Sequence, residues 1–383
     1  MRKKSILFFV ITTVILLSGC VTAKHSLNHA TKLSSLKFLD EYIIPHNLHY
    51  ENTWVGGLSG IDYDKENDRY FIISDERSAT SPSRFYTAKI QINSNKIDTV
   101  FFTAVSSMLQ PDGKPFPSLK TDPVNAADPE SLRYNPVKKN LVWSSEGDRA
   151  IRDGKMNIKD PFIYEMDLKG NFLNSFFIPK ELRMTTTESG PRVNGVFEGT
   201  SFDAGAEYLY VSVEEPLYED GPRADVGYKA APVRILKFDA HTRKPVAQYA
   251  YLLDAVAYPA ITADAFRVNG ISEIYWINNN QMLVMERSYS TGRPGCTIKL
   301  FLADISLATD VSTLTGLHQR KDYKPITKKL LLNMDDLGRY IDNVEGITFG
   351  PILANGNKSL ILIADNNFQK DEKNQVFLFE VIP

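Results

Sequence analysis

The sequence predicts an all-β protein, a β-propeller with five four-stranded blades. One stretch, Phe197-Glu198-Gly199-Thr200-Ser201-Phe202, has four related copies along the chain. The second residues of the five copies are Ser59, Glu130, Glu198, Ser272 and Glu345, which are separated by 71, 68, 74 and 73 positions. A nearly constant period indicates a repeat architecture, and a β-sandwich would not produce one.

Each repeat contains up to four apolar runs of the length and composition of β-strands. The second runs cover 70–74, 141–145, 208–213, 282–285 and 360–364, and the third cover 84–90, 162–168, 233–238, 298–305 and 376–382. Fourth runs cover 99–105, 172–178, 245–253 and 328–332, so the fifth repeat lacks one. We expect residues 36–44 to supply it and close the ring. The period exceeds the roughly 40–50 residues of compact propeller repeats, so either the loops are long or a sixth blade lies in an insertion.

The N-terminal segment predicts export. Arg2, Lys3 and Lys4 precede an apolar run over 6–17, which is too short for a membrane span and has the flank of a secretory signal. The following Leu17-Ser18-Gly19-Cys20 resembles the lipobox of bacterial lipoproteins. We therefore predict a signal peptide at 1–19, lipidation of Cys20, a polar tether at 20–35 and the folded domain at 36–383, with an ordinary signal peptide as the alternative. The protein would be lipid-anchored in the bacterial cell envelope, facing the periplasm or the exterior.

Charge argues against nucleic acid as a partner. The chain has 44 basic and 46 acidic residues, and removal of 1–19 takes away three basic residues and no acid. A mildly acidic protein without basic clusters binds polyanions poorly. We expect a monomer whose partners are a small-molecule substrate and, through the lipid anchor, the membrane. Cys296 would be the one remaining thiol, and its apolar surroundings favour a buried structural cysteine over a nucleophile.

The long connections are expected on one face of the propeller. Residues 106–127, 180–196, 216–232 and 254–269 all join second to third strands or one blade to the next. Residues 306–327 would lie on the opposite face, and the sequence offers no explanation for them. Long ordered loops on a rigid scaffold are where function usually resides.

Acidic residues are expected at the same end of the blades. The predicted metal ligands follow the starts of first strands and the ends of second strands: Glu130, Glu198, Glu345, Asp75, Glu146, Glu214, Glu286 and Asp365. Carboxylates packed this closely raise one another's pKa unless a cation or arginines neutralise them. A flexible ring of oxygen ligands suits Ca²⁺ better than Zn²⁺, for which the six histidines are poorly placed. The alternative is structural, with the acids bonding backbone N–H groups of neighbouring blades or pairing with Arg77, Arg149 and Arg287.

A run of motifs resembles a known family. Asn343-Val344-Glu345-Gly346-Ile347, followed by the segment from Leu360 to Phe368, is similar to the ending of the phytase-like family described as "esterase-like activity of phytase". Earlier similarities include 57–61, 73–75, 197–199, 220–222 and 286–288, so the resemblance covers roughly 35–383.

The family's description implies ester hydrolysis, and its relation to propeller phytases implies calcium-assisted attack of water on a phosphate ester. In that case Glu345, Asp365 and Glu198 are the candidate catalytic residues. Candidate substrate-binding residues are Arg77, Arg149, Arg287 and Asn366. A serine esterase is disfavoured because no Gly-x-Ser-x-Gly motif occurs and no histidine is well placed for a triad. Two alternatives remain: a non-catalytic envelope module that binds a ligand or protein, and a lactonase-like metal-dependent esterase.

Overall fold

The computed structural model describes residues 32–152, 154–278 and 280–383. The predicted signal peptide, Cys20 and most of the tether lie outside the described residues. The first strand begins at Ser35, next to the predicted domain start at residue 36.

The described chain forms five antiparallel sheets of four strands each. Blade I comprises β4 (Leu58–Asp64), β5 (Arg69–Ser74), β6 (Arg84–Asn93) and β7 (Lys96–Ser107). Blade II comprises β8 (Pro129–Asn135), β9 (Asn140–Ser145), β12 (Phe162–Met166) and β13 (Phe172–Ser175). Blade III comprises β14 (Phe197–Phe202), β15 (Tyr208–Val213), β16 (Ala231–Asp239) and β17 (Pro245–Leu253).

Blade IV comprises β18 (Arg267–Asn278), β19 (Gln281–Ser290), β20 (Thr297–Asp304) and β21 (Thr327–Asn333). Blade V comprises β22 (Asn343–Ile352), β23 (Lys358–Asp365), β24 (Asn374–Ile382) and the N-terminal β1 (Ser35–Ile44). β1 pairs antiparallel with β24, so one sheet joins the two ends of the chain. The five-bladed propeller closed by the N-terminal strand is thereby confirmed. Long loops, and not a sixth blade, account for the long repeat period of the described chain.

Two short hairpins and three 3₁₀ turns complete the described structure. The hairpins are β2 (His49–Tyr50) with β3 (Thr53–Trp54), and β10 (Asp148–Arg152) with β11 (Lys155–Lys159). The 3₁₀ turns are Lys180–Leu182, Tyr218–Asp220 and Met334–Leu337. None of these helical turns in the described chain is long or apolar enough to cross a membrane.

The hydrophobic core lies between the blades. Five clusters of buried apolar side chains each combine residues of two neighbouring blades, and the pair of blades V and I is one of them. Strands such as β8 and β9 are buried along their whole length because they have a blade on either side. Packing between neighbouring blades and the strand pairing within blade V therefore both close the ring.

A single arginine fills the centre of the ring. The guanidinium of Arg133, on β8, donates hydrogen bonds to the carbonyl oxygens of Ile61, Thr200, Ile274 and Ile347 at 2.5–3.2 Å. These carbonyls belong to the first strands of the four other blades. The same side chain pairs with Glu273 at 2.6 Å. Arg133 thus ties all five blades together across the channel.

The connection from β20 to β21 covers an edge. Its Val311 N–H donates to Gln248 O, and its Ile326 N–H donates to Ala250 O, both on β17, the outermost strand of blade III. Val311 and Leu317 are buried there against Ala250. The sequence left this long connection unexplained, and the structure shows that it protects an otherwise unpaired strand edge.

Candidate functional site

The inner strand of every blade is bulged at the same repeat position. The pairing of first and second strands shifts register at Ser59, at Glu130-Ser131, at Glu198-Gly199, at Ser272 and at Glu345. A bulge inserts an extra residue and re-aims the neighbouring side chains. In blades I and IV the residue is serine, and its hydroxyl donates to a backbone carbonyl of the next blade's first strand. In blades II, III and V it is glutamate.

These glutamates open into a cavity of about 460 Å³ at the mouth of the channel. Its acidic lining residues are Asp75, Glu130, Glu146, Glu198, Glu214, Glu215, Asp342, Glu345 and Glu372. The arginines that line it are Arg77, Arg287 and Arg293. Acids outnumber arginines threefold, so the cavity is strongly electronegative.

Six carboxylates form two compact groups. Asp75, Asp128 and Glu130 can bring one oxygen each within 4.8 Å of one another, and Glu146, Glu198 and Glu214 do the same. All of the second group are buried. Oxygen atoms at this spacing are the ligand set of a hard divalent cation.

The hydrogen bonding of these acids is uneven. Glu146 accepts from Val196 N–H at 2.6 Å, and Glu214 accepts from Arg287 at 2.6 Å. The carboxylates of Glu130 and Glu198 accept no hydrogen bond from any described residue, although each side chain is more than nine-tenths buried. Their oxygens open into the cavity, and a largely buried charge without a partner is costly, so these two carboxylates fit a cation that completes their coordination.

Two arginines supply part of the compensating charge. Arg287 lies between blades III and V, donating to Glu214 at 2.6 Å and pairing with Glu345 at 3.0 Å. Arg77 pairs with Asp128 and donates to Asn194 Oδ1 at 3.2 Å. Oε2 of Glu345 is buried without a hydrogen-bond partner. The arginines therefore neutralise Asp128, Glu214 and part of Glu345, and they leave the carboxylates of Glu130 and Glu198 without a paired charge.

Burial and mutual repulsion change the acidity of the mouth. Burial raises the pKa of Asp75, Glu130, Glu146 and Glu198 well above the ordinary carboxyl range, and neighbouring carboxylates raise it further. Burial raises the pKa of Glu345 to about 7, against the opposing charge of Arg287. Burial and Glu214 raise the pKa of Glu215 to about 8. In the absence of a cation, this cavity holds protons at neutral pH.

Residues 53–368 match the phytase-like family, described as esterase-like activity of phytase. The chain belongs to this family. The predicted resemblance is therefore confirmed over most of the sequence. Curated proteins show no significant sequence match to it.

Several solved structures are similar in shape. An endo-arabinase from Bacteroides thetaiotaomicron is 14% identical, with 91% of this chain and 98% of that chain covered and a TM-score of 0.41. The periplasmic gluconolactonase of Pseudomonas aeruginosa is 9% identical, with 86% and 87% covered and a TM-score of 0.36. The soluble aldose sugar dehydrogenase of Escherichia coli is 9% identical, with 91% and 99% covered and a TM-score of 0.38. At these scores, no argument about activity rests on the similarities.

Most of the predicted site residues of this phytase-like protein meet in the cavity. Asp75, Glu130, Glu146, Glu198, Glu214, Glu345, Arg77 and Arg287 all line it. Cys296 lines it as well, but burial raises its thiol pKa to about 12. That shift disfavours a thiolate nucleophile and agrees with a structural cysteine.

Glu286 lies elsewhere. Its carboxylate accepts from the Tyr251 hydroxyl, Lys328, Asp254 N–H and Asn269 at 2.5–2.9 Å. Four donors saturate both oxygens between blades III and IV, and the residue does not line the cavity. Its placement corrects the predicted metal ligand to a structural tie, because β19 turns this side chain away from the channel.

Asp365 and Asn366 are also set back from the cavity. Asp365 is 1% exposed, accepts from Asn367 N–H at 2.7 Å and has a pKa raised well above the usual range by burial. The Asn366 Oδ1 accepts from Gly57 N–H and Phe368 N–H, both at 3.2 Å. Their placement behind the lining favours support of the loop after β23 over the predicted catalytic and substrate-binding roles.

Arg149 is separated from the cavity in the same way. It lies on the β10–β11 hairpin and donates to Thr187 O and the Tyr218 hydroxyl. It does not line the cavity, so the predicted contact with substrate gives way to a role in pinning the hairpin to blade III. The sequence could not show this, because Arg149 lies on a separate hairpin outside the four repeated strands of blade II.

Sequence reasoning missed three features of the site. Asp128, two positions before Glu130, belongs to the first carboxylate group. Glu215 directly follows Glu214, and its proximity to the predicted ring was a usable signal. The apolar residues Phe266, Val268 and Tyr289, which line one side of the cavity, gave no pattern in the repeats that could have identified them.

Proposed function

We propose that this phytase-like propeller is a calcium-assisted hydrolase of phosphate esters that acts at the acidic mouth of its channel. The observation that carries the proposal is the pair of buried carboxylates, Glu130 and Glu198, without hydrogen-bond donors inside a 460 Å³ cavity. The family description supports ester hydrolysis as the reaction class. That the ester is a phosphate ester and that the metal is calcium are our own additions to this reaction class.

The two carboxylate groups would hold the cation. Asp75, Asp128 and Glu130 offer one set of oxygens, and Glu146, Glu198 and Glu214 offer the other. All six are hard oxygen ligands. None of the described histidines lines the cavity, so zinc fits less well. Bound calcium would neutralise the carboxylates, attract phosphate oxygens and withdraw charge from phosphorus.

Glu345 is suited to act as the general base. Burial raises the pKa of this carboxyl in the metal-free protein, which favours acceptance of a proton from water and its later release. In the proposed reaction, water forms the new P–O bond as its proton passes to Glu345. The bond from phosphorus to the ester oxygen breaks, and the departing alkoxide takes that proton back from Glu345 and leaves as the alcohol.

Arg287 would position the reacting groups. It fixes Glu345 and Glu214 at 3.0 and 2.6 Å, one on each side of the guanidinium. Its positive charge also faces a cavity that must accept an anionic substrate. Arg77 holds Asp128 in the same manner on the opposite blades.

The decisive experiment uses the mature protein stripped of metal. Addition of calcium should raise its melting temperature and activate hydrolysis of simple phosphate monoesters, and chelation should reverse both effects. Glu286→Gln is the matched control, since it removes an acid of the same repeat series that lies outside the cavity. No response to calcium in either assay refutes the proposal.

Other outcomes identify the alternatives. Calcium binding without turnover of any phosphate ester would favour the non-catalytic binding module. Turnover of lactones in place of phosphate esters would favour the lactonase-like esterase. A panel containing both substrate types therefore separates the three functions in one experiment.

The cellular location is proposed from the sequence alone. Residues 1–19 would direct export and Cys20 would carry the lipid anchor in the cell envelope. Metabolic labelling with a radioactive fatty acid tests this directly: the wild-type chain should incorporate label and Cys20→Ala should not. Label retained in the variant contradicts the assignment.

A further inference from the structure

Blade IV rises above the rest of the channel mouth. β18 begins at Arg267, five positions before its bulge residue Ser272, whereas β8 and β14 begin one position before theirs. Four additional residues extend a strand by about 13 Å. The partner strand β19 runs equally far, so the extension is a paired β-ribbon that forms one wall of the cavity.

The wall changes character with height. Its lowest pair on the cavity side is Gly270 opposite Arg287, and the next pair on the same face, two positions along, is Val268 opposite Tyr289. Above them the ladder continues with Thr291 N–H donating to Phe266 O. Because side chains two positions apart share a face of a strand, Phe266, Val268 and Tyr289 line the cavity together with Arg287.

The base of the wall packs closely against the carboxylate residue Glu214. A Cβ at Gly270 would meet Glu214 Cγ at 2.5 Å, so only glycine permits this approach. Arg287, beside Gly270, contacts Glu214 and Glu345. We call the carboxylates of Glu214 and Glu345, together with Arg287, the floor of the cavity. This charged floor is continuous with the apolar wall, and the apolar wall lies nearer to solvent.

The aromatic rings at the top are accessible. Phe266 is 54% exposed and Tyr289 is 36% exposed, and their ring centroids lie 6.2 Å apart at an interplanar angle of 39°. Exposed aromatic faces beside a polar site are typical of surfaces that bind planar groups.

The charges of the cavity disfavour a polyanion. Each lining arginine is already paired: Arg77 with Asp128, Arg287 with Glu214 and Glu345, and Arg293 with Asp335. No lysine among the described residues lines the cavity. A ligand with several phosphates would face an excess of carboxylates, whereas one phosphate could be compensated by a cation at the floor.

We infer that the substrate is a singly phosphorylated ester of an alcohol with a planar aromatic group, which lies against Phe266 and Tyr289 while the phosphate reaches the floor. This inference rests on the proposed function for the position of the phosphate. It adds the class of alcohol, and it excludes polyphosphorylated polyols as preferred ligands.

The first test measures binding without turnover. Phenylphosphonate and methylphosphonate contain no ester bond and are titrated calorimetrically into the calcium-loaded mature protein. The phenyl compound should bind about tenfold more tightly. Phe266→Ala/Tyr289→Ala should remove this preference. Phe177→Ala should keep it, since Phe177 is 59% exposed outside the cavity.

The second test measures specificity in turnover with 2-phenylethyl phosphate and ethyl phosphate, whose alcohols leave with similar ease. The double variant should raise KM for the phenyl ester about tenfold and change KM for ethyl phosphate much less. Equal affinity of the two phosphonates, no binding of either, a preference that survives in the double variant, or tighter binding of inositol hexakisphosphate overturns the inference.

The two proposals fail separately. Preferential phenylphosphonate binding without hydrolysis of any phosphate ester refutes the proposed function and supports the wall as an aromatic binding site. Calcium-dependent hydrolysis without any effect of the double variant supports the proposed function and refutes the inference that Phe266 and Tyr289 bind an aromatic alcohol.

Discussion

The channel contains buried charge at two levels, and comparison of the levels separates structure from function. At its centre, Arg133 reaches a carbonyl oxygen on the first strand of each of the other four blades and pairs with Glu273. At its mouth, Glu130 and Glu198 are buried without hydrogen-bond donors among the described residues. A satisfied buried charge organises the fold, whereas an unsatisfied one persists at a cost that a ligand can relieve.

The largest expected effect comes from breaking the central level. Arg133→Met should destabilise the protein by about 3–5 kcal/mol, because it leaves Glu273 buried without its partner and frees four carbonyls. Chemical denaturation of the metal-free protein measures this. Arg320→Met, which removes a surface pair with Asp322, should have no measurable effect. Equal stability of the two variants would contradict the role of Arg133 as the tie.

A change of pH should act on the carboxyls of the mouth and on Glu273 at the centre, whose pKa burial raises to about 8. The folded-state pKa of Glu345 is about 7 and that of Glu215 about 8, both above the ordinary value of 4.5 that the unfolded chain retains. Between these values the folded state holds protons that the unfolded state has lost. Stability of the metal-free protein should therefore fall by several kcal/mol as pH rises from about 4.5 to 8, since each unit of raised pKa corresponds to about 1.36 kcal/mol.

Calcium should cancel this loss, because it competes with the protons and binds more tightly as pH rises. Melting curves from pH 5 to 9, with calcium and with chelator, measure both effects. A metal-free protein that becomes more stable towards pH 8 would show that the mouth does not control the profile.

A third prediction concerns the saturated acid outside the cavity. Glu286→Gln should cost about 2 kcal/mol, since its amide cannot accept from all four donors that surround the carboxylate. Its calcium-dependent rise in melting temperature should match that of the wild type. A lost calcium response in this variant would return Glu286 to the metal site.

The smallest effect on stability is expected at the mouth itself. Glu198→Gln should stabilise the metal-free protein at pH 8 by about 1 kcal/mol, because it removes a carboxylate from a crowded group. The same variant should lose most of the calcium response. Reduced metal-free stability at pH 8 would instead make Glu198 a structural tie like Glu286.

The sequence predicted the acidic mouth more accurately than the identity of each member. Glu130, Glu198 and Glu345 follow from the repeat, since equivalent positions in a propeller face the same channel. Glu286 occupies an equivalent position at the end of a second strand, but its carboxylate accepts hydrogen bonds from Lys328, Tyr251 and Asn269 instead of facing the channel. Those partners come from other strands, so their contact with Glu286 is invisible in the repeat.

The propeller, its closing strand and the clustering of acids at one end followed from the sequence alone, because strand periodicity and repeat length are local properties of a chain, whereas the choice of five blades over six needed the structure. Tertiary structure decided the rest. Arg133 became the central tie because four other first strands converge on it. The wall of Phe266, Val268 and Tyr289 formed because blade IV pairs further than its neighbours. Both depend on where separate parts of the chain meet, which no local pattern encodes.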